Sequence, residues 1–382
     1  MAFEHYIRSG QKMLRCGYTT GTCAALAAAG AARLLLTGQR PALLCLRTPK
    51  GWPGEGAPAA LDAEEGTARG AGRKHAGDDA AVTDGMLGWA AVRRTGAPGV
   101  CIDGGEGVGR VTRPGLDQPV GAAAINRVPR RMIAEAVQAE LDAAGASGGA
   151  EVIVSIPGGA ERARRTFNPL LGIEGGLSVL GTSGVVEPMS EQAIVDTIGV
   201  ELRQAFCACP QGRLILTPGN YGADFLAANG LDALGVPVVR CSNFIGEALD
   251  MAAAEGFSAV LLVGHIGKLV KLAGGIMNTH SRSADCRTEL FCAHAAAAGA
   301  STALCRALLD APTTDACIAL LDTAGLRAAV LDSLTAAAQR HLERRAAGAY
   351  RVGVELFSNE YGPLGASPAA LELIGQWRND RQ

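Results

Sequence analysis

The chain has 382 residues, of which 48% are hydrophobic and 19% charged. This length suits two domains, and this composition excludes an intrinsically disordered chain. Its 35 Lys and Arg residues nearly balance its 37 Asp and Glu residues, and only 4% of residues are aromatic. A near-neutral, aromatic-poor chain argues against a broad surface for nucleic acid or anionic lipid.

Neither a membrane segment nor a signal peptide is predicted near the N-terminus. The most apolar stretch there, residues 24–36, is shorter than the roughly 20 residues of a spanning helix. The residues before it lack the order of regions that defines a signal peptide. We therefore expect a cytoplasmic protein without a membrane segment.

The eleven cysteines are scattered and contain no C-x-x-C pair. Cys207 and Cys209 have a spacing that suits neither a zinc knuckle nor a thioredoxin-type motif. No H-x-x-x-H or H-E-x-x-H pair is present either. We expect most of these cysteines to be buried in a reducing compartment, and no metal to be bound by the protein itself.

The first half of the chain mixes helices and short strands. Thr19–Thr22 precedes a run of good helix formers, and threonine is a favoured N-cap, so a helix is predicted over 23–36. Residues 49–77, rich in Gly, Pro and Ala, read as a long loop or a poorly patterned hairpin. The other predicted elements are strands at 43–46, 100–103, 110–112 and 152–156, and a helix at 133–144.

The second half alternates strands with helices, which predicts βαβ units and a parallel sheet. The strands are apolar throughout, as parallel strands covered on both faces are. The predicted strands are 213–217, 236–241, 259–263 and 351–357. The predicted helices are 190–206, 223–234, 244–255, 266–272 and several across 284–347. The change from a mixed order of elements to a regular alternation of strands and helices indicates a domain boundary near 187.

Two glycine-rich segments resemble phosphate-binding loops only loosely. Asp103–Gly109 lacks the third glycine of the dinucleotide fingerprint and a following helix, so a glycine hairpin is predicted there. Gly264–Lys268 has the wrong glycine spacing for a nucleotide triphosphatase. It nevertheless joins a strand end to a helix start, where anionic ligands bind in open α/β sheets.

Polar residues follow three consecutive strands of the second half. They are Thr217–Gly222, Cys241–Asn243 and Gly264–Lys268. Each segment alone is ordinary turn chemistry, but together they predict a ligand crevice along the carboxyl edge of the sheet. Lys268 and Lys271 share a helix face, and His265 and His280 have polar, glycine-rich neighbours.

The chain also resembles a known family, through long and idiosyncratic strings found in the family's order. Cys16–Ala24 resembles the opening signature of the CbiD family, the cobalt-precorrin-5B C1-methyltransferases. Further similar strings are Gly77–Asp79 with Val82–Thr83, 104–112, Ala124–Asn126, Thr166–Pro169, 172–188, Thr217–Gly222, 242–247 and 264–287. The chain departs from the family's pattern at His75, Ala80, Ala81 and Arg127.

The resemblance implies an α+β N-terminal domain (1–187), expected to bind the macrocycle, joined to a Rossmann-like C-terminal domain (188–382) with a mainly parallel sheet, expected to bind the cofactor. It implies an enzyme of anaerobic cobalamin synthesis. This enzyme passes a methyl group from S-adenosylmethionine to ring carbon 1 of cobalt-precorrin-5B and gives cobalt-precorrin-6A. The cobalt then belongs to the substrate. A homo-oligomer and contacts with other cobalamin-pathway enzymes remain open.

The strand-end cluster motivates an assignment of site residues. His265 or His280 is the candidate base, and Lys268 is expected to hold a substrate carboxylate. The predicted cofactor residues are Thr217, Gly219, Asn220, Tyr221, Gly222, Asn243 and Gly264. The predicted substrate residues are Thr19, Thr20, Gly21, Thr22, Asp78, Asp79, Asn126, Arg130, Lys271 and Asn278.

Two other functions stay open on the sequence. A nicotinamide-dependent oxidoreductase uses the same fold class, although no G-x-G-x-x-G follows a strand here. A non-catalytic corrinoid carrier would bind the macrocycle and need no cofactor pocket beside it.

Overall fold

The computed structural model describes residues 4–380 and divides into two compact units, one ending at Glu191 and the other beginning at Gln192. The first unit contains thirteen strands and three helices within its described residues. The strands are β1 (Tyr6–Ser9), β2 (Lys12–Arg15), β3 (Gly17–Tyr18), β4 (Leu44–Arg47), β5 (Pro53–Gly56), β6 (Ala60–Glu64), β7 (Thr67–Arg73), β8 (Leu87–Thr95), β9 (Gly99–Gly104), β10 (Arg110–Val111), β11 (Gly149–Ser155), β12 (Ile173–Glu174) and β13 (Val185–Val186). The helices are α1 (Thr20–Thr37), α2 (Arg127–Ala143) and α3 (Gly159–Ala163).

A five-stranded sheet in the order β6-β7-β8-β11-β9 forms the centre of this unit. Its pairs are antiparallel except for the parallel pair β9–β11. The core joins strand residues such as Val92 and Val152 to Ala28 of α1 and Ile133 of α2. The unit is therefore a mixed α and β structure with its helices packed on a mainly antiparallel sheet.

Helix α1 lies unusually close to β7 because β7 is rich in glycine. A Cβ atom on Gly70 would lie 2.3 Å from the carbonyl oxygen of Ala27, and one on Gly72 would lie 2.8 Å from that of Cys23. Within the described residues, α1 is the one helix long and apolar enough to cross a membrane by length and composition. It is longer than the predicted 24–36 segment, and 72% of it is buried, as in a core helix.

The prediction for residues 49–77 was wrong in its first alternative, a long loop, and right in its second, a hairpin. The segment holds strand β5 and the antiparallel hairpin β6–β7, whose Ala and Gly residues pack against α1 despite a low strand propensity. Strand β8 was not predicted. Residues 104–109 do not form a hairpin, since β9 pairs with β11 and β10 with β12.

The second unit contains strands β14 (Arg213–Thr217), β15 (Val238–Arg240), β16 (Ala259–His265), β17 (Arg351–Ser358) and β18 (Gly362–Ala366). Its helices are α4 (Glu191–Ala208), α5 (Tyr221–Ala228), α6 (Ile245–Glu255), α7 (Ile266–Leu269), α8 (Arg287–Ala297), α9 (Thr302–Leu309), α10 (Thr314–Thr323), α11 (Arg327–Ala346) and α12 (Pro368–Asn379). The four predicted strands are confirmed in type and position. Strand β18 and helix α12 were not predicted.

The sheet of this unit has the order β15-β14-β16-β17-β18. The first four strands are parallel and β18 is antiparallel. Leu214 and Leu216 face one core, whereas Ile215 between them faces another. Both faces of the sheet are thus covered, which explains why its strands are apolar throughout.

Candidate functional site

The carboxyl ends of β14 and β16 meet where the strand order reverses, since the chain runs from β14 outward to β15 and returns to β16 on the other side of β14. A Cβ atom on Gly219 would lie 3.4 Å from Nζ of Lys268, and one on Gly264 would lie 2.9 Å from Cγ of Pro218. The backbone N–H of Cys241 donates to the Thr217 carbonyl at 3.1 Å. The structure therefore brings together all three predicted strand-end segments. Ligands bind at this point in open α/β sheets.

Thr217 closes β14 with a hydroxyl that is fully buried and has no hydrogen-bond partner within the described residues. A Cβ atom on Gly222 would lie only 1.7 Å from this Oγ1 atom, so glycine is required where α5 begins. A buried hydroxyl without a partner is uncommon in folded proteins, which distinguishes Thr217 from the other residues of this strand end.

His265 lies at the end of β16 and caps α7. Its Nδ1 atom accepts a hydrogen bond from the backbone N–H of Gly267 at 3.0 Å. Its ring makes an edge contact with Phe357. Burial lowers the pKa of His265, while the carboxylate of Asp315 opposes that shift. The neutral ring thus carries its proton on Nε2, which makes Nε2 a donor and counts against a role as proton acceptor.

Lys268 is half-buried above Gly219. Burial lowers the pKa of its amine, and the neighbouring Lys271 lowers it further, while Cys241 raises it. Cys241 itself is fully buried, and desolvation raises its thiol pKa to about 12, so at physiological pH the thiol is neutral and does not oppose the lowering of the Lys268 pKa. Lys268 is the cation of this edge that is placed to meet an anionic group.

The segment after α7 is tied to the third strand end. The Thr279 hydroxyl lies 3.3 Å from Oδ1 of Asn243, and the Thr279 N–H donates to the Asn243 carbonyl. Oδ1 of Asn278 accepts the N–H of His280, whose Nδ1 accepts the N–H of Arg282. Asn243, Asn278 and His280 are therefore brought together.

Lys271 is buried beneath this segment rather than exposed to a ligand. Its Nζ donates to the carbonyl oxygens of Thr279 at 3.1 Å and Ala284 at 2.7 Å. It shares a short stretch with Lys268 but has the environment of a structural brace. Its predicted contact with substrate remains a prediction.

In the first unit, the threonine motif caps α1 as predicted. Thr19 accepts the N–H of Thr22, and the Thr22 hydroxyl donates to the Gly184 carbonyl at 2.6 Å. The Thr20 hydroxyl exchanges two hydrogen bonds with the backbone of Leu180, whose carbonyl also accepts the Gly21 N–H. The motif is thus docked on residues 180–184, which leaves little of its hydrogen-bonding capacity for a ligand.

Two other predicted substrate residues of this unit, Asp78 and Arg130, also have side chains engaged with backbone. Asp78 accepts the N–H of Arg15 at 2.7 Å, and the Asp79 N–H donates to Ala76. Asn126 stands at the N-cap of α2 without a side-chain cap bond. All three guanidinium nitrogens of Arg130 donate to backbone carbonyls. Their roles toward a substrate stay predictions.

Sequence reasoning missed one feature of this unit, a small cavity beside the first turns of α1. Lys74 and Cys23 line it, and the Lys74 amine has no hydrogen-bond partner within the described residues. No pattern in the sequence signals this cavity. Its importance depends on packing that the sequence does not reveal.

All eleven cysteines are free, and five of them are buried, whereas Cys45, Cys101 and Cys207 are exposed. The expectation that most are buried was therefore too strong. Between residues 4 and 380, no cluster of three His, Cys, Asp or Glu side chains has a metal-binding arrangement.

Comparison with known proteins extends over nearly the whole chain. The family model CbiD matches residues 7–188, and the model of the CbiD C-terminal domain matches residues 278–368. A relative from Ruminiclostridium cellulolyticum, named cobalt-precorrin-5B C(1)-methyltransferase, is 42% identical over 93% of this chain and 92% of its own length. A relative of the same name from Moorella thermoacetica is 42% identical over 96% of this chain and 99% of its own length.

Among solved structures, the cobalamin biosynthesis protein (cbiD) from Archaeoglobus fulgidus is 28% identical. The alignment covers 73% of this chain and 86% of that one, with a TM-score of 0.38. Because both halves of the chain match the family models and the sequence relatives match from end to end, the chain belongs to the CbiD family.

Proposed function

We propose that this chain is a methyltransferase that methylates carbon 1 of cobalt-precorrin-5B in cobalamin synthesis. The observation that carries the proposal is the 42% identity to relatives of that name over more than nine-tenths of both chains. A match of this length includes both units, so it supports the whole activity rather than the presence of one domain.

The methyl donor that we propose is S-adenosylmethionine, with cobalt-precorrin-6A and S-adenosylhomocysteine as products. When bound, the donor supplies an electrophilic methyl group together with its own leaving group, so the protein need not supply a covalent nucleophile. We place it at Thr217–Gly222, Asn243 and Gly264. The unpartnered Thr217 hydroxyl and the lack of a side chain at Gly219, beside Lys268, support this placement.

This placement treats the second unit as a Rossmann-like domain. Its strand order, with parallel strands covered on both faces, supports that view, and the ligand then lies at the topological switch point. We assign the binding of most of the macrocycle to the first unit. We further propose a cytoplasmic enzyme that binds no nucleic acid and takes its cobalt with the substrate.

The protein then contributes to the reaction mainly by positioning the two reactants. Residues at the strand ends hold the two reactants in line and exclude water, and such positioning contributes roughly 7–11 kcal/mol at the extreme. Lys268 holds a substrate carboxylate, for which its half-buried amine is suited. His265 or His280 accepts a proton only if it gives up the N–H that its Nδ1 now accepts.

The test of the proposed function is calorimetric titration with S-adenosylhomocysteine, with NADH and NADPH as controls. We expect saturable micromolar binding of the first and no response to the dinucleotides. Transfer of labelled methyl from S-adenosylmethionine to an added cobalt-precorrin then identifies the acceptor. Binding of NADPH would favour the oxidoreductase, and a macrocycle bound without methyl transfer would favour the carrier.

The cofactor placement is tested with Gly219→Val, matched to Gly230→Val. Both glycines have positive φ, but a Cβ atom at Gly230 meets nothing within 4 Å, so the control carries the backbone strain alone. We expect at least about a tenfold loss of S-adenosylhomocysteine affinity from the first variant only. Equal affinities would place the pocket elsewhere.

The base assignment is tested with His265→Asn and His280→Asn, which keep an oxygen to accept the backbone N–H but remove the imidazole. A general base contributes about 10²–10⁴-fold to the rate. If both variants keep wild-type turnover, neither histidine is the base.

A further inference from the structure

Lys74 is a buried lysine that has no role in the reaction proposed above. It directly follows β7, and its backbone N–H donates to the Met86 carbonyl across the β7–β8 turn. Lys74 is only 5% exposed, and its Nζ atom has no hydrogen-bond partner within residues 4–380. A buried amine in this state is destabilising for the folded protein, because desolvation is not compensated.

The groups around Lys74 do not supply the missing partner. Cys23 packs beside it, but burial raises that thiol's pKa to about 11, so the thiol is neutral at physiological pH. Asp79 and Asp84 act on Lys74 only through longer-range attraction. Desolvation is the largest influence, and it lowers the pKa of the Lys74 amine.

Lys74 lines a small, partly open cavity whose other walls are mainly apolar. Among them are Met86 of the β7–β8 turn, Val154 of β11 and Val179. The enclosed space is about 20 Å³, which holds a water molecule or the tip of a side chain but not a ring.

The same cavity touches the first turns of α1, through Thr20, Cys23 and Ala24. Helix α1 has 18 residues and no acidic residue in its first turn. The N–H groups of Gly21, Thr22 and Cys23 already have acceptors within the protein, so the helix end acts on the cavity only through its dipole, which favours an anion over the Lys74 ammonium. The unpartnered amine is the feature that calls for an anion, and the helix dipole acts in the same direction.

We propose that this cavity binds a carboxylate at the end of a short, flexible alkyl chain, with Lys74 as its ion-pair partner. This assignment rests on the proposed function for the source of the carboxylate, an acetate or propionate arm of the macrocycle. Apolar walls accept the methylene groups, and the size of the enclosed part selects the tip of an arm. Lys74 is then a binding residue of the first unit, separate from the strand edge of the second.

The composition makes a direct test practical, because the five lysines are Lys12, Lys50, Lys74, Lys268 and Lys271. Lysine labelled with ¹³C at Cε gives five signals in the full chain, which single Lys→Arg variants assign. Sodium propionate is added at constant chloride, with propionamide as the uncharged control. A cobalt corrinoid with free carboxylate arms is then compared with one whose arms are amides.

We expect propionate to shift the Lys74 signal saturably and to leave the signal of exposed Lys12 unchanged. We expect propionamide to have no effect on either signal. The carboxylate corrinoid should move the same signal, and Lys74→Met should weaken its binding about tenfold and leave the affinity for the amide corrinoid unchanged. A Lys74 signal that ignores propionate, or moves equally with chloride, overturns the assignment. So does a carboxylate response confined to Lys268.

The methyl-transfer assay keeps this outcome apart from the proposed function. If Lys74 responds to propionate but not to the corrinoid, the carboxylate has another source and the assignment to a macrocycle arm is wrong. If Lys74 does not respond but methyl transfer proceeds, only the present inference fails. If Lys74 responds and no methyl is transferred, the proposed function fails instead.

Discussion

Two buried lysines, one in each unit, have opposite surroundings. Lys271 is 3% exposed and donates to two carbonyl oxygens, whereas Lys74 is 5% exposed and donates to none within the described residues. Lys271 joins α7 and its following turn to the 279–284 segment. Lys74 instead borders a cavity.

The contrast shows that burial alone does not distinguish a structural cation from a ligand-binding one. The decisive feature is whether the protein supplies the acceptors. Where it does, the amine stabilises the fold. Where it does not, the folded state bears an uncompensated desolvation cost, which a ligand can offset.

The largest expected effect that sharpens this contrast is on Lys271. Lys271→Met leaves the carbonyl oxygens of Thr279 and Ala284 without their donor, one of them in a buried segment. We expect the free energy of unfolding of the second unit to fall by about 2–4 kcal/mol. Urea denaturation followed by circular dichroism measures it. An unchanged midpoint would show that Lys271 is not a brace.

The matched change in the first unit has a smaller effect with the opposite sign. Lys74→Met keeps an unbranched side chain that is one atom shorter, and it removes an unpaired buried amine. We expect the free energy of unfolding to stay equal or to rise by about 1–2 kcal/mol, while carboxylate binding is lost. The same denaturation measurement applies. A loss of stability as large as that of Lys271→Met would contradict the contrast, because it would mean that the protein already satisfies Lys74.

The second unit was the more predictable from sequence, for a physical reason. Its strands are short, mainly apolar runs such as Arg213–Thr217, which lies between Gly212 and Pro218. This short length and the flanking glycine and proline distinguish such runs from helices. The polar segments that follow them had to lie on one edge of the sheet. The approach of Gly219 to Lys268 was therefore foreseeable, although the tautomer of His265 was not.

The first unit was less predictable because its strands are built from small residues. Gly70 and Gly72 have poor strand propensity, and they form a strand because α1 needs the space that they leave. The Lys74 cavity arises from this same contact between α1 and β7. Whether the Lys74 amine is paired depends on which backbone groups lie close to it. The local sequence does not indicate these tertiary contacts.

The smallest expected effect is on the pH dependence of stability, and it isolates the Lys74 amine. Because its folded pKa lies below the unfolded value near 10.4, the unfolded chain binds more protons between those two values. The stability of the wild type should therefore rise, relative to Lys74→Met, as pH increases through that window. Both proteins contain the carboxylates of Asp79 and Asp84 and the thiol of Cys23. The titration of these groups therefore contributes equally to both stabilities, except for their interaction with the Lys74 amine.

The measurement is urea denaturation of both proteins at several pH values between 6 and 10, with Lys12→Met as the control for an exposed amine. The advantage of Lys74→Met should be greatest at low pH and should shrink toward pH 10, whereas Lys12→Met should show no such trend. Bound propionate should reverse the sign, because an amine that gains a carboxylate has a raised pKa, and its contribution is then lost as pH rises. A constant difference across the range would mean that Lys74 titrates like a solvated lysine, and the cavity would lose the feature that marks it as a carboxylate site.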